Sequence, residues 1–343
     1  MIALLIAAGA IAFGVSVALP VVVKPLLFRW GVVDIPSDRS SHTGVVIRGM
    51  GLAVSGGVGL ALAFSLLTGL VPVDRSLVLT ILAVIIAASV LGWIEDFRGL
   101  SIKARAGAQL ALGVAGTSIL AWTIDQSYWW VPIGAFAIAI YINVANFMDG
   151  INGISGMHGV LVGSFYAVAG VLSEQWWLTV AGIVVAAAFA GFLPWNLGRG
   201  VVFLGDVGSY LLGASIAAMA VTGLLAGVYL EYLLSPVLIY LADTFTTFLR
   251  RIRRGERFYA SHREHVYQQL TVNGLSHVQV ALLVTCCSAV TGLAGFVVAT
   301  AQSPTYAVGG SLVAALTVVA YLYSPRFLRV RTGPRSTGRI RGS

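Results

Sequence analysis

Charge is scarce in this sequence. Only 10% of its 343 residues are Asp, Glu, Lys or Arg, where a soluble domain carries about a quarter. An ordinary soluble domain is thereby excluded. Cysteine is nearly absent too. Cys286 and Cys287 are the only two, and as neighbours on a helix they point in different directions, so they read as inert apolar positions and fix no redox compartment. No basic segment precedes the first apolar run and no small-residue pattern closes it. A retained helix with its N-terminus outside is expected, not a signal peptide. No internal repeat is visible, although such repeats mark many transporters.

Apolar sequence fills the chain instead. Hydrophobic residues make up 58% of it, and the mean hydropathy is +0.91. Apolar runs lie near 2–24, 50–70, 76–94, 106–123, 129–145, 157–173, 177–194, 209–228, 231–248, 278–300 and 306–323. Roughly 20 such residues cross a hydrocarbon core of about 30 Å. Only helices satisfy the backbone there. The expected fold is an all-α, polytopic integral membrane protein of about eleven transmembrane helices. It forms one membrane-embedded unit over 1–323, with a basic, disordered cytoplasmic tail over 324–343.

Basic residues are missing from alternate loops. Of the 21 Lys and Arg residues, all but Arg75 fall in the loops after odd-numbered runs or in the tail. The positive-inside rule makes those loops cytoplasmic. The net charge of +8 is this bias plus the tail arginines near an anionic leaflet, so no nucleic-acid partner is called for.

Five polar clusters interrupt the apolar sequence, and all fall on that same side: 34–42, Glu95-Asp96, 143–152, 203–209 and 262–265. Gathering carboxylates, amides and histidines at one surface adds nothing to stability in a membrane, which points to a shared polar site. In Phe203-Leu-Gly-Asp-Val-Gly-Ser209, Asp206 sits where an apolar helix begins. An N-cap explains the acid, but the flanking glycines also let phosphate approach bare amides. A carboxylate beside such amides reads as a Mg²⁺–phosphate site, since Mg²⁺ takes one or two carboxylates plus phosphate oxygens. Asn143, Asn146 and Asp149, spaced by three, share one flank if their helix continues through Asp149. They then ligate a hard cation or bind a sugar and base; a plain Asn/Asp/Gly turn is the alternative.

Glu95-Asp96 closes a helix, where the dipole disfavours acids; an interfacial ion pair with Arg98, Lys103 or Arg105 is the bland explanation. Asp243 lies inside an apolar run, which makes it a functional candidate or a partner of Arg250. Arg263 and His265 read as phosphate or nucleotide donors. Zinc is not expected at His262 and His265, which have no cysteine or third ligand nearby. His42, close after Arg39, is equally a lone interfacial histidine or a donor.

Together these residues resemble the polyprenyl-phosphate N-acetylhexosamine-1-phosphate transferase family. Asp34-x-Pro-x-x-Arg39-Ser-Ser-His42 with Arg48-Gly-x-Gly51 is similar to its first cytoplasmic loop. Glu95-Asp96 stands where the family has Asp-Asp. Asn143-x-x-Asn146-x-x-Asp149-Gly-x-Asn152-Gly and Asn196 followed by Phe203-x-Gly-Asp206-x-Gly-Ser match further signatures, in order, over about residues 30–270. The resemblance implies attack of undecaprenyl phosphate on the β-phosphorus of a UDP-N-acetyl sugar, releasing UMP, at the cytoplasmic face of the plasma membrane. It implies Mg²⁺, with Mn²⁺ as a substitute, held by Asp206 and Asn146 with Asp149 alongside. Asp96 becomes a base or metal partner, and Phe203 stacks on uracil. Asn196, Asn152 and His265 contact nucleotide or phosphates, and Arg39, His42, Asn143 and Arg263 complete the substrate-binding set. Membrane lipids surround the enzyme, and a homodimer is left open.

Several positions depart from the family pattern: Glu95, Asn152, and Val46 in place of a proline. The His262-Arg-x-His265-x-Tyr267-Gln268 form is closer to the O-antigen branch that takes 6-deoxy amino sugars and argues against a muramoyl-pentapeptide donor; UDP-GlcNAc stays open. A transporter or flippase is the competing class, but it would place its polar residues near the bilayer midplane.

Overall fold

A computed structural model describes residues 1–34, 44–70, 74–198, 202–255 and 264–328. Arg39, His42, His262, Arg263 and the tail beyond Leu328 lie outside the described residues. The first two helices, α1 (Ile2–Ala18) and α2 (Pro20–Arg29), run on through Leu19. A two-stranded ribbon follows, β1 (Val33–Asp34) antiparallel to β2 (Val46–Ile47). Next come α3 (Gly51–Leu67), α4 (Arg75–Arg98), α5 (Ile102–Thr123), α6 (Trp130–Met148), α7 (Ile154–Leu172), α8 (Trp176–Leu197) and α9 (Gly205–Leu225). The last five helices are α10 (Leu230–Leu234), α11 (Leu238–Arg253), α12 (Val266–Val272), α13 (His277–Thr300) and α14 (Pro304–Phe327).

Local chemistry sets several of these boundaries. Ser101 opens α5 by accepting the Ala104 amide at 3.2 Å, and Ser276 with Gln279 forms a capping box at α13. Pro304 begins α14 at a position where its missing N–H costs nothing. Ser235-Pro236-Val237 makes a 3₁₀ turn between α10 and α11, since proline cannot donate in a continuous α-helix.

Every apolar run expected from the sequence coincides with a helix, and the chain is an all-α polytopic membrane protein. Among the described residues nine helical stretches are long and apolar enough to cross a membrane. The other two runs are α3, only 17 residues long, and α5, which carries Lys103 and Arg105 in its first turns. The count by length and composition is thus lower than the eleven expected.

Helix α9 is the hub. It is buried along nearly its whole length and packs on α3, α4, α5, α6, α7, α8 and α10. Its Gly, Ala and Ser content explains this position, because small residues let helices approach closely where lipid supplies no hydrophobic drive between them. Ser215 and Thr222 return their hydroxyls to carbonyls of their own helix at 2.7 Å, so neither is left unpaired. Helix α14, by contrast, lies at the periphery and is mostly exposed. The segment leading into α9 is stitched to the ribbon. Ile47 bridges Val202, the Phe203 amide donates to Ile47 at 2.9 Å, and the Gly51 amide donates to Leu204 at 2.8 Å. The start of α9 is fixed in space by these bonds.

The charge bias gives a test of orientation. With Cys286 and Cys287 changed to alanine, Lys103→Cys and Arg254→Cys should resist an impermeant maleimide in intact cells, while Gln126→Cys should react. The reverse labelling pattern would invert the topology.

Candidate active site

Two helix ends meet first. Asp96, in the last turn of α4, and Asp206, in the first turn of α9, come together because Gly92 and Gly51 have no side chains. A Cβ at Gly92 would strike the backbone of Asp206, and one at Gly51 the backbone of Gly208. Gly205 adopts φ +76°, and a Cβ there would sit 2.6 Å from Asp96 Oδ2. Asp96 is buried, and its Oδ2 accepts the Val207 amide at 2.9 Å. The acid that its own helix dipole disfavours therefore caps the N-terminus of another helix. Arg48 Nε lies 3.0 Å from Asp96 Oδ1. Glu95 does form the expected interfacial ion pair, with Arg105 at 3.1 Å.

Asn146 reaches this cluster from α6. Its Nδ2 donates to Asp206 Oδ1 at 2.6 Å and to Ser209 Oγ at 3.0 Å. Helix α6 stops at Met148, so Asp149 is a C-cap residue rather than a further helical position. Asp149 Oδ1 accepts the hydroxyl of buried Ser155 at 2.6 Å. Burial pushes the Asp149 carboxyl up to about 7; the Ser155 hydrogen bond opposes this, and the charges of Asp206 and Asp96 add to the rise. Three acids from different helix ends are thus within electrostatic reach of one another.

Asn143 does not share the flank of Asn146 and Asp149 expected from the spacing. Its Nδ2 donates to Gln109 Oε1 of α5 at 2.5 Å and to Ala139 O at 2.8 Å. Residues three apart differ by about 60° around a helix, and Gln109 offers Asn143 a partner on the other side. On that side lies an apolar groove of about 670 Å³ between α5, α6 and α11. Phe136, Ile140, Phe147, Leu241 and Phe245 line it, and Arg251 and His265 border it as well. One helix end therefore serves two places: Asn146 and Asp149 belong to the acid cluster, while Asn143 and Phe147 face the groove.

Asn196 is buried and used at both ends. Its Oδ1 accepts the Gly153 amide at 2.5 Å and its Nδ2 donates to Val202 O at 2.9 Å. It joins the start of α7 to the segment before α9. Asn152 lies half-buried in the turn between α6 and α7. Phe203, also half-buried, holds its backbone in the ribbon network beside Asp206.

Asp243 does not pair with Arg250. This fully buried carboxylate of α11 accepts His265 Nδ1 at 3.1 Å, the Val266 amide at 3.0 Å and the Tyr321 hydroxyl at 2.7 Å. Arg251, not Arg250, meets an acid nearby, Glu264 at 3.2 Å. Tyr267 of α12 donates to Phe147 O at 3.0 Å, which docks α12 under the end of α6 and brings His265 to the groove. Sequence reading missed Arg48, Gln109 and Ser155. Only Arg48 carried a signal, its place in the Arg48-Gly-x-Gly51 motif.

Comparison with known proteins identifies the family. The family model for glycosyl transferase family 4 matches residues 78–224. The chain is 29% identical to a probable undecaprenyl-phosphate N-acetylglucosaminyl 1-phosphate transferase of Bacillus subtilis, over 77% of this chain and 76% of the relative. It is 30% identical to a phospho-N-acetylmuramoyl-pentapeptide-transferase of Desulforudis audaxviator, over 64% and 76% respectively. It is 26% identical to an undecaprenyl-phosphate alpha-N-acetylglucosaminyl 1-phosphate transferase of Escherichia coli, over 76% and 74%. The chain therefore belongs to glycosyl transferase family 4, among the polyprenyl-phosphate N-acetylhexosamine-1-phosphate transferases.

Proposed function

We propose that this protein transfers an N-acetylhexosamine-1-phosphate from a UDP-sugar to undecaprenyl phosphate at the cytoplasmic face of the plasma membrane, releasing UMP. The observation that carries this reading is the double use of the α6 end, with the acid cluster on one flank and the apolar groove on the other. A soluble, charged donor and a lipid acceptor need that adjacency. The groove suits a polyprenyl chain, and Arg251 and His265 at its border suit the phosphate. The attacking oxygen belongs to the lipid phosphate. It bonds to the β-phosphorus as the bond to the α,β-bridging oxygen breaks, and UMP carries that oxygen away. A phosphomonoester is largely dianionic near neutrality, its second pKa being about 6. No side chain need remove a proton from it, so alignment and charge neutralisation dominate.

Asp206 and Asn146 would hold Mg²⁺, or Mn²⁺ in its place. Among the described residues no group of three or more His, Cys, Asp or Glu is arranged to enclose a metal. One carboxylate and one amide nevertheless suit Mg²⁺, which shares its shell with substrate phosphates and water. The acid cluster supplies a further reason: Arg48 pairs with Asp96, while among the described residues Asp206 and Asp149 are bonded to neutral groups. When bound, the cation would neutralise the phosphates and the developing charge of the leaving group. The chain's own contribution is to hold the two phosphates in line beside the start of α9, whose Val207 amide is held by Asp96. The donor is a UDP-N-acetyl sugar, GlcNAc or a 6-deoxy analogue in preference to a muramoyl-pentapeptide, on the His265-x-Tyr267-Gln268 form of the α12 start.

Asp206→Asn keeps the size of the side chain and can still meet Asn146. UMP release should fall at least ~10²-fold, on the order of 3 kcal/mol in barrier height, with detergent melting unchanged. Full Mg²⁺-dependent activity in a well-folded variant would move the cation site elsewhere. A second variant, Ser155→Ala, removes the hydrogen bond that favours ionised Asp149. Its carboxyl should rise further above about 7, so the acid limb of the kcat/KM profile should move to higher pH. A limb that stays put or moves down would show that ionised Asp149 is not the working form.

A further inference from the structure

Asp243 accepts five hydrogen bonds among the described residues, although the reaction itself does not employ it. Its Oδ1 accepts His265 Nδ1 at 3.1 Å, the Val266 amide at 3.0 Å and the Thr247 hydroxyl at 3.4 Å. Its Oδ2 accepts the Tyr267 amide at 3.3 Å and the Tyr321 hydroxyl at 2.7 Å. The carboxylate has no solvent exposure, and a buried carboxylate is costly unless its lone pairs are satisfied. Four of its five donors come from outside its own helix. A carboxylate placed only to stabilise α11 would not need them.

The geometry assigns roles to the two ring nitrogens of His265. An ionised carboxylate only accepts, so Nδ1 carries the proton between His265 and Asp243. The other nitrogen, Nε2, has no hydrogen-bond partner among the described residues, and the residue borders the apolar groove. Val266 and Tyr267 are the first two residues of α12, so the carboxylate that orients the imidazole also anchors the helix that carries it. Tyr321 closes the arrangement from α14, the most peripheral helix.

We infer that Asp243, supported by Tyr321, is a positioning residue that holds His265 with Nδ1 protonated, so that Nε2 is the nitrogen offered to the acceptor phosphate. The placement of that phosphate rests on the proposed transferase reading; the tautomer does not. Carboxylates that orient metal-ligating imidazoles change their function by about 10–100-fold when removed, and a loss of the same order is expected here. Helix α14 thereby gains a part in turnover, since its distant tyrosine acts on the acceptor phosphate through two side chains.

The test has two arms, on full-length protein in detergent. In the first, ¹⁵N-histidine NMR reads the ring nitrogens, with His265→Gln identifying the signal by its loss. Nδ1 should be protonated in the wild type, and Asp243→Asn should shift protonation toward Nε2. An Nε2-protonated wild type, or spectra unchanged in Asp243→Asn, would overturn the inference whatever the enzyme's substrate. The second arm measures transfer. Asp243→Asn should lower kcat/KM about 10–100-fold, but have no further effect in a His265→Ala background, since both changes remove one function. Losses that multiply would show that Asp243 acts independently of His265. If Asp243→Asn does not fold, Tyr321→Phe enters both arms, with the same signs and a smaller loss. An inactive wild type with the expected tautomer would sink the transferase reading and leave the positioning role standing.

Discussion

The structure depends on bringing like charges together. Asp96, Asp206 and Asp149 arise from three helix ends and face one another across packing that only glycine permits. Gly92 lies against Asp206 and Gly51 against Gly208, so neither contact tolerates even a methyl group. Close packing of this sort is rigid, since overpacking typically costs about 1–3 kcal/mol. The repulsion it enforces is partly relieved within the chain. Arg48 meets Asp96, and the amide of Val207 caps it. What remains is a concentration of negative charge at the start of α9, an arrangement suited to a cation.

The same device occurs twice. Asp96 belongs to α4 but caps α9, and Asp243 belongs to α11 but caps α12. In each case a candidate site residue stands at the start of the capped helix, Asp206 in the first turn of α9 and His265 at the N-cap of α12. A carboxylate used in this way satisfies orphan amides that would otherwise be left unpaired where water is scarce. It also fixes a functional side chain relative to another helix. Asn196 does comparable work without charge, tying Gly153 to Val202. The site is thus framed by polar side chains that hold backbone.

Much of this was legible in the sequence, for physical reasons. Apolar runs had to become helices because lipid offers the backbone no alternative. The glycines around Asp206 read as room for a phosphate, whereas Gly205 lies against Asp96 and Gly49, and Gly208 against Gly51. The partners of each acid were not legible. Arg48 and Asp96 are 48 residues apart, and no periodicity links them. Asp243 reads from the sequence as a functional candidate or as a partner for Arg250 along its own helix, yet four of its five donors come from the start of α12 and from α14. Asn143 was expected beside Asn146, but α6 ends at Met148 and Gln109 draws Asn143 to the other flank. Helical spacing fixes which face a residue shares; only tertiary packing decides which neighbour it finds.

The proposed function is phosphoryl transfer between a water-soluble donor and a lipid seated in the α5–α6–α11 groove. The alternative within any sugar-transferring enzyme is attack at the sugar carbon, which would release the whole nucleoside diphosphate. The two outcomes differ in the fate of one phosphorus atom. Purified protein supplied with undecaprenyl phosphate, Mg²⁺ and UDP-N-acetylglucosamine labelled at the β-phosphorus should place the label in the lipid fraction and release unlabelled UMP. Labelled UDP in the aqueous phase, with an unlabelled lipid-linked sugar, would contradict the account.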